Sequence, residues 1–150
     1  MHTLGNPDLL NLHKVAFLCS RSCPEAAALK ARGWADEQCE KGTCVISGYH
    51  SGVERDVLRR LLRGKQPIII ALAKGLAKLD PLLAAPMEAG RLLLITRYAA
   101  SVSHADEAKC YQRNRLMVEL ADEIVVAHAS PGGSLERLCG EQAGKRISWL

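Results

Sequence analysis

Aromatic residues are scarce in this chain: one Phe, three Tyr and two Trp among 150 positions. Stacking platforms for a long single strand of nucleic acid are therefore few, which favours a small nucleotide over an extended strand as ligand. Long apolar runs are missing as well. The longest, Pro67 to Ala73, is far shorter than the roughly 20 residues that span a bilayer. The first residues also lack the basic-then-apolar order of a secretory signal. The expectation is a cytoplasmic protein without membrane contact. There is no CxxC pair, and Cys19, Cys23, Cys39, Cys44, Cys110 and Cys139 fit no common zinc spacing. They read as reduced, structural thiols, and no metal is expected. Internal repeats and low-complexity stretches are absent.

What remains is an ordinary globular composition, 48% hydrophobic and 24% charged, consistent with one domain over residues 1–150 that buries a proper core. The net charge of +4 permits an anionic partner without requiring one. The chain is organised around Thr43 to Glu54. Val45 and Ile46 suit a central parallel strand, Gly48 and Gly52 suit a tight turn, and Ser51 with Glu54 forms a capping-box pair that opens a helix. A strand leading through a glycine turn into a helix N-terminus suits a phosphate. The same pattern also describes a ligand-free turn.

The other elements follow in order. Residues 1–13 read as an irregular N-terminal or edge segment. Strands are expected at Lys14–Cys19, Cys44–Ser47, Pro67–Leu72, Arg91–Thr96, Glu123–Ala127 and Lys145–Leu150. Helices are expected at Glu25–Lys41, Gly52–Arg63, Leu79–Ala89, in the segment ending near Ala121, and at Leu135–Gln142. Arg97–Asp106 reads as a mobile surface loop. On the second helix Val53, Val57, Leu58, Leu61 and Leu62 form an apolar stripe, with Arg55, Arg59, Arg60 and Arg63 opposite and Asp56 placed to pair with Arg60. Strands that are apolar runs alternating with helices predict a three-layer Rossmann-like α/β fold. Its mainly parallel sheet of about six strands would be covered by helices on both faces, with Cys44–Ser47 near the centre. Ligands of such sheets bind beyond the strands' C-terminal ends. Four polar loops are expected there: Ser20-Arg21, Ser47–Gly52, Lys74-Gly75 and Pro131–Ser134.

Several motifs resemble the core domain of the DNA-processing family DprA/Smf. Ala16 to Arg21 resembles that family's first strand ending in Gly-Ser-Arg. Ser47-Gly48-Tyr49-His50-Ser51-Gly52-Val53-Glu54 is similar to its Ser-Gly-x-Ala-x-Gly-Ile-Asp. Tyr111 to Met117 resembles Phe-Pro-x-Arg-Asn-Arg-Ile-Ile, and Gly133-Ser134-Leu135 a late Gly-Ser-Leu. Cys19 stands in place of a glycine, His50 of an alanine and Glu54 of an aspartate. The chain matches the family's core from residue 14 onward, and an N-terminal helical domain and a C-terminal winged helix are not expected.

The resemblance implies a nucleotide- or nucleic-acid-phosphate-binding domain, in DNA processing or nucleotide sensing, with no resident cofactor. It implies a ligand site made of Ser20, Arg21, Ser47, Gly48, Ser51, Gly52, Arg113, Asn114, Gly132, Gly133 and Ser134. Arg21 and Arg113 would supply charge, with His50 and Lys74 as weaker candidates. Arg113→Ala is expected to leave the fold intact and weaken an anion, a bulky residue at Gly52 to obstruct the ligand, and Arg63→Ala to change little. The partner would be a nucleotide or single-stranded nucleic acid, and the related families suggest a homodimer.

A second reading stays open. The LOG-type phosphoribohydrolases, which cleave the N-glycosidic bond of a nucleoside 5′-monophosphate, share the layout. Aligning Gly133-Ser134 with that family's Gly-Thr places Arg137 where its catalytic glutamate belongs, and a guanidinium cannot accept the proton. Glu54 and Glu136 are the remaining carboxylates to consider near Arg113.

Overall fold

The computed structural model describes residues 1–150. Seven strands form one sheet in the order β1-β5-β4-β3-β2-β6-β7. They are β1 (His2–Gly5), β2 (Lys14–Cys19), β3 (Cys44–Ser47), β4 (Ile68–Leu72), β5 (Leu92–Thr96), β6 (Glu123–His128) and β7 (Arg146–Trp149). All pairs are parallel except β1 with β5. The helices are α1 (Glu25–Lys41), α2 (Gly52–Leu62), α3 (Ala84–Glu88), α4 (Glu107–Leu120) and α5 (Ser134–Gly140). The expected Rossmann-like layers are present, with β3 in the middle of the sheet.

Alternation along each strand sorts the core into two halves. Val15, Phe17, Val45, Ile68 and Ile70 pack beneath α1 and α2, where Phe17 stacks on Trp34 with ring centroids 5.3 Å apart. Ala16, Leu18, Ile46, Ile69 and Ala71 face α4 and α5 instead. A sheet buried on both faces explains why the strands read as unbroken apolar runs.

The N-terminus corrects one expectation. Residues 2–5 are not irregular: they pair antiparallel with β5, in register from His2 with Thr96 to Gly5 with Leu93. All four residues are exposed, so no alternation announces the strand; the free edge of β5 recruits it. Gly5 sits at φ +114°, and a Cβ there would lie 2.2 Å from the Leu92 carbonyl, so only glycine fits. A further correction concerns charges. Arg60 pairs with Asp36 at 2.7 Å rather than with Asp56, which lies 3.8 Å from Arg32. The close approach of α1 and α2 decides this, because it sets carboxylates of each helix beside cations of the other. The 97–106 loop lies on the surface as expected, with the Val102 carbonyl accepting from Gly75 N–H at 2.8 Å.

Strands β2 to β5 step outward in one direction, and the chain then returns through α4 to place β6 on the other side of β2. The order therefore reverses between β2 and its neighbours. Beyond the C-terminal ends of the strands, that reversal opens a crevice.

Candidate functional site

Two loops are stapled across the reversal. Ser20 N–H donates to the His128 carbonyl and Ser20 Oγ accepts from Ser130 N–H, both at 2.8 Å. The loop after β2 is thus fixed to the loop after β6. Around this staple lies a pocket of about 510 Å³, walled by the loop after β2, the start of α2, the first turns of α4 and the start of α5. Its lining includes Ser20, Arg21, Ser51, Arg113, Asn114, Gly133 and Ser134. Arg21 is exposed and makes no salt bridge.

The α2 end of the pocket is built around a charge pair. Ser51 Oγ accepts from Glu54 N–H at 3.3 Å, and Glu54 Oε2 accepts in return from Ser51 N–H at 3.2 Å and His50 N–H at 2.9 Å. The capping box is therefore complete. Glu54 also accepts two hydrogen bonds from Arg113, Nη2 to Oε1 at 2.8 Å and Nη1 to Oε2 at 3.3 Å, with both side chains only 4% exposed. Arg113 Nε donates to Asn114 Oδ1 at 3.0 Å. The carboxylate of Glu54 thus occupies the place at the helix N-terminus that suits an anion. Arg113 neutralises it from the other side.

Gly48 makes this possible. A Cβ there would stand 2.2 Å from Arg113 Nη1 and 2.8 Å from Glu54 Oε2, so the turn is bare where the guanidinium passes. The tight approach at Gly48 serves an internal ion pair. At Gly52 an added Cβ would meet no protein atom within 4 Å, so the protein's own packing does not require glycine there.

The predicted site residues thus divide. Ser47 is fully buried and its hydroxyl donates to the Gly48 carbonyl at 3.1 Å. Ser47, Gly48, Gly52 and Gly132 do not line the pocket. Gly132, at φ +74°, shapes the turn, and its N–H donates to Glu136 Oε1 at 3.2 Å. Lys74 and Gly75 also stand apart, because Gly75 is pressed against the backbone of Ala99 and Ala100. Arg113 corrects a second expectation. It is a buried, paired residue, so its truncation strands Glu54 rather than leaving the fold intact.

Sequence reasoning missed the start of α4. Asp106, Cys110 and Tyr111 line the pocket. Asp106 caps α4 by accepting from Lys109 N–H at 2.8 Å, and its Oδ2 meets Lys109 Nζ at 2.7 Å. The lysine ammonium and the backbone N–H hold the Asp106 carboxyl below its ordinary range. Tyr111 lies under the guanidinium of Arg137, 5.2 Å from its ring centroid. It was visible in the sequence as the first residue of the Tyr-Gln-Arg-Asn motif. Burial pushes the thiols of Cys19 and Cys110 up, which disfavours a thiolate nucleophile here. Of the carboxylates on the wall, Glu54 is engaged by Arg113 and Asp106 by Lys109, whereas the exposed Glu107 makes no salt bridge. Glu136, outside the lining, accepts from Gly132 N–H.

The sequence model of one family, DNA recombination-mediator protein A, matches residues 1–148. The chain belongs to that family. Two solved structures share its fold at a TM-score of 0.76, covering 98% of this chain. One is DNA processing protein A of Helicobacter pylori, a protein with a single-stranded DNA binding mode, at 21% identity over 69% of its length. The other is DNA processing protein A of Streptococcus pneumoniae, at 22% identity; this chain spans only 53% of its length. The molybdenum cofactor carrier protein of Chlamydomonas reinhardtii is more distant, with a TM-score of 0.59 and 14% identity over 91% of this chain and 74% of the other. Among curated proteins none matches the chain.

Proposed function

We propose that the crevice holds a phosphate of single-stranded nucleic acid and that the chain is a nucleic-acid-binding domain of DNA processing. The observation that carries the reading is Arg21: an exposed cation without a carboxylate partner, at the reversal of strand order, in a chain of this family. Ser20 is fixed beside it by the inter-loop staple, and Ser51 and Ser134 offer hydroxyls across the pocket. Tyr111 is the aromatic on the wall, and one base would stack on it by displacing the Arg137 guanidinium from the ring. The related H. pylori protein's single-stranded DNA binding supports the same assignment. A pocket of about 510 Å³ accepts one or two nucleotides of a longer strand. No helix is long and apolar enough to cross a membrane. A cytoplasmic location and pairing of two copies in solution remain part of the proposal, the latter checked by light scattering.

The test is a titration of a fluorescently labelled oligothymidylate at low salt, followed by competition with nucleoside monophosphates. Binding weakens as salt rises, because phosphate contacts release counterions. Tyr111→Ala loses about 1–3 kcal/mol of affinity if one base stacks there. Full displacement of the strand by equimolar nucleoside monophosphate would move the assignment to a nucleotide site. Absence of oligonucleotide binding at low salt would reject it.

A further inference from the structure

A second cavity lies on the α1–α2 side of the sheet, away from the crevice. It is a groove of about 590 Å³ between the C-terminal half of α2 and the segment carrying α3. Its walls bear Arg59, Arg63 and Arg91, its floor includes Leu62 and Ala85, and no Asp or Glu lines it. Leu82 projects at its edge, 57% exposed.

The charges of this groove outnumber the acids that face them, although acids are close by in sequence. Asp36 and Asp56 engage Arg60 and Arg32 on the side where α1 meets α2. Arg59 and Arg63 form no salt bridge, and their spacing of four places them on one face about 6 Å apart along the helix. Asp80, which faces Arg59 from the neighbouring segment, accepts from Tyr49 Oη and from Leu82 N–H, both at 2.9 Å. Its charge offsets part of that of Arg59, so Arg63 and Arg91 carry most of the groove's positive charge. Arg91 donates to the carbonyls of Leu62 at 2.6 Å and Gln66 at 2.9 Å. Those bonds orient the guanidinium without cancelling its charge.

We propose that this groove docks an acidic, aliphatic peptide segment of a partner protein. Guanidiniums on an aliphatic floor match carboxylates that alternate with leucine-like side chains. Alternate residues of an extended peptide are spaced by roughly 6.6 Å, close to the rise between Arg59 and Arg63. Nucleic acid is the poorer fit, because the lining contains no aromatic side chain on which a base could stack. The site lies apart from the crevice and does not depend on it.

The probe is a fluorescein-labelled peptide of alternating aspartate and leucine, followed by anisotropy. The wild-type chain binds it. Arg63→Glu weakens binding at least tenfold, and Leu82→Ser weakens it several-fold. A peptide with serine for aspartate loses binding, and Arg21→Ala leaves the affinity unchanged. Arg63 and Leu82 are exposed, so circular dichroism and melting of both variants match wild type. Failure of the wild type to bind the peptide, or equal binding by Arg63→Glu, overturns the proposal. So does an oligothymidylate or an anionic lipid vesicle whose binding depends on Arg63 while the peptide does not bind.

Discussion

At the N-terminal ends of the strands, Lys14 buries its ammonium among the carbonyls of Leu10 and Leu12, at 2.9 and 2.8 Å, and reaches Asp122 at 3.4 Å. At the C-terminal ends, Arg113 buries its guanidinium against Glu54. The Lys14 side chain is 9% exposed but its carboxylate partner is 46% exposed, whereas Arg113 and Glu54 are both 4% exposed. Water can replace the partner in the first case and not in the second. A half-solvated pair therefore serves as an adjustable tie, while a fully desolvated pair fixes a shape, because each charge is tolerable only with the other present. The fixed pair stands at the pocket wall. It sets the turn after β3, where Ser51 lines the crevice, and it takes the charge of Arg113 into an internal pair.

The comparison breaks most sharply at Arg113. Arg113→Ala strands a buried carboxylate and costs about 3–5 kcal/mol of unfolding free energy. Replacing both partners, Arg113→Met with Glu54→Gln, recovers much of that loss, although Glu54's capping role keeps the recovery incomplete. Urea denaturation of the two variants measures the gap; equal stability of the single and double variants would contradict the account. Next in size is Gly48→Ala, whose methyl group must displace Arg113 or the turn, at about 1–3 kcal/mol in the same assay. Lys14→Met is smaller, about 1–2 kcal/mol, because the freed carbonyls lie near solvent. A loss as large as that of Arg113→Ala would erase the distinction between the two ends.

The smallest effect is the pH response of Asp122. The Lys14 backbone N–H, at 2.8 Å, holds its carboxyl below the ordinary range, with the ammonium adding to this. A carboxyl depressed in the folded state contributes stability above its unfolded value, about pH 4, and loses it as pH falls through the folded one. Asp122→Asn therefore lowers stability at pH 7 and flattens the decline below pH 4, read from urea midpoints at both values.

The architecture was legible because a doubly covered parallel sheet writes itself as apolar runs: Lys14–Cys19 and Glu25–Lys41 appear with the expected bounds. His2–Gly5 could be read only as an irregular or edge segment, since an exposed edge strand has no buried face to pattern. Within the site, Ser20, Arg21 and Ser51 were readable from strand-end positions. The role of Arg113 was not, because its partner lies 59 residues away, and sequence shows the residue types of an ion pair without showing that they meet. Gly48 misled for the same reason. A glycine beside a helix N-terminus suggests ligand approach, and here it gives room to a guanidinium. Tyr111 belonged to a recognised motif, but its exposure to the crevice depends on how α4 docks.

The division of labour between a framing arginine and a binding arginine is tested most directly by Arg21→Ala, measured for melting and for affinity toward a labelled oligothymidylate at low salt. The account predicts unchanged melting with affinity reduced by roughly 1.5–3 kcal/mol, the range of a hydrogen bond to a charged group. Wild-type affinity in a folded Arg21→Ala chain would contradict it and remove the ligand from the crevice.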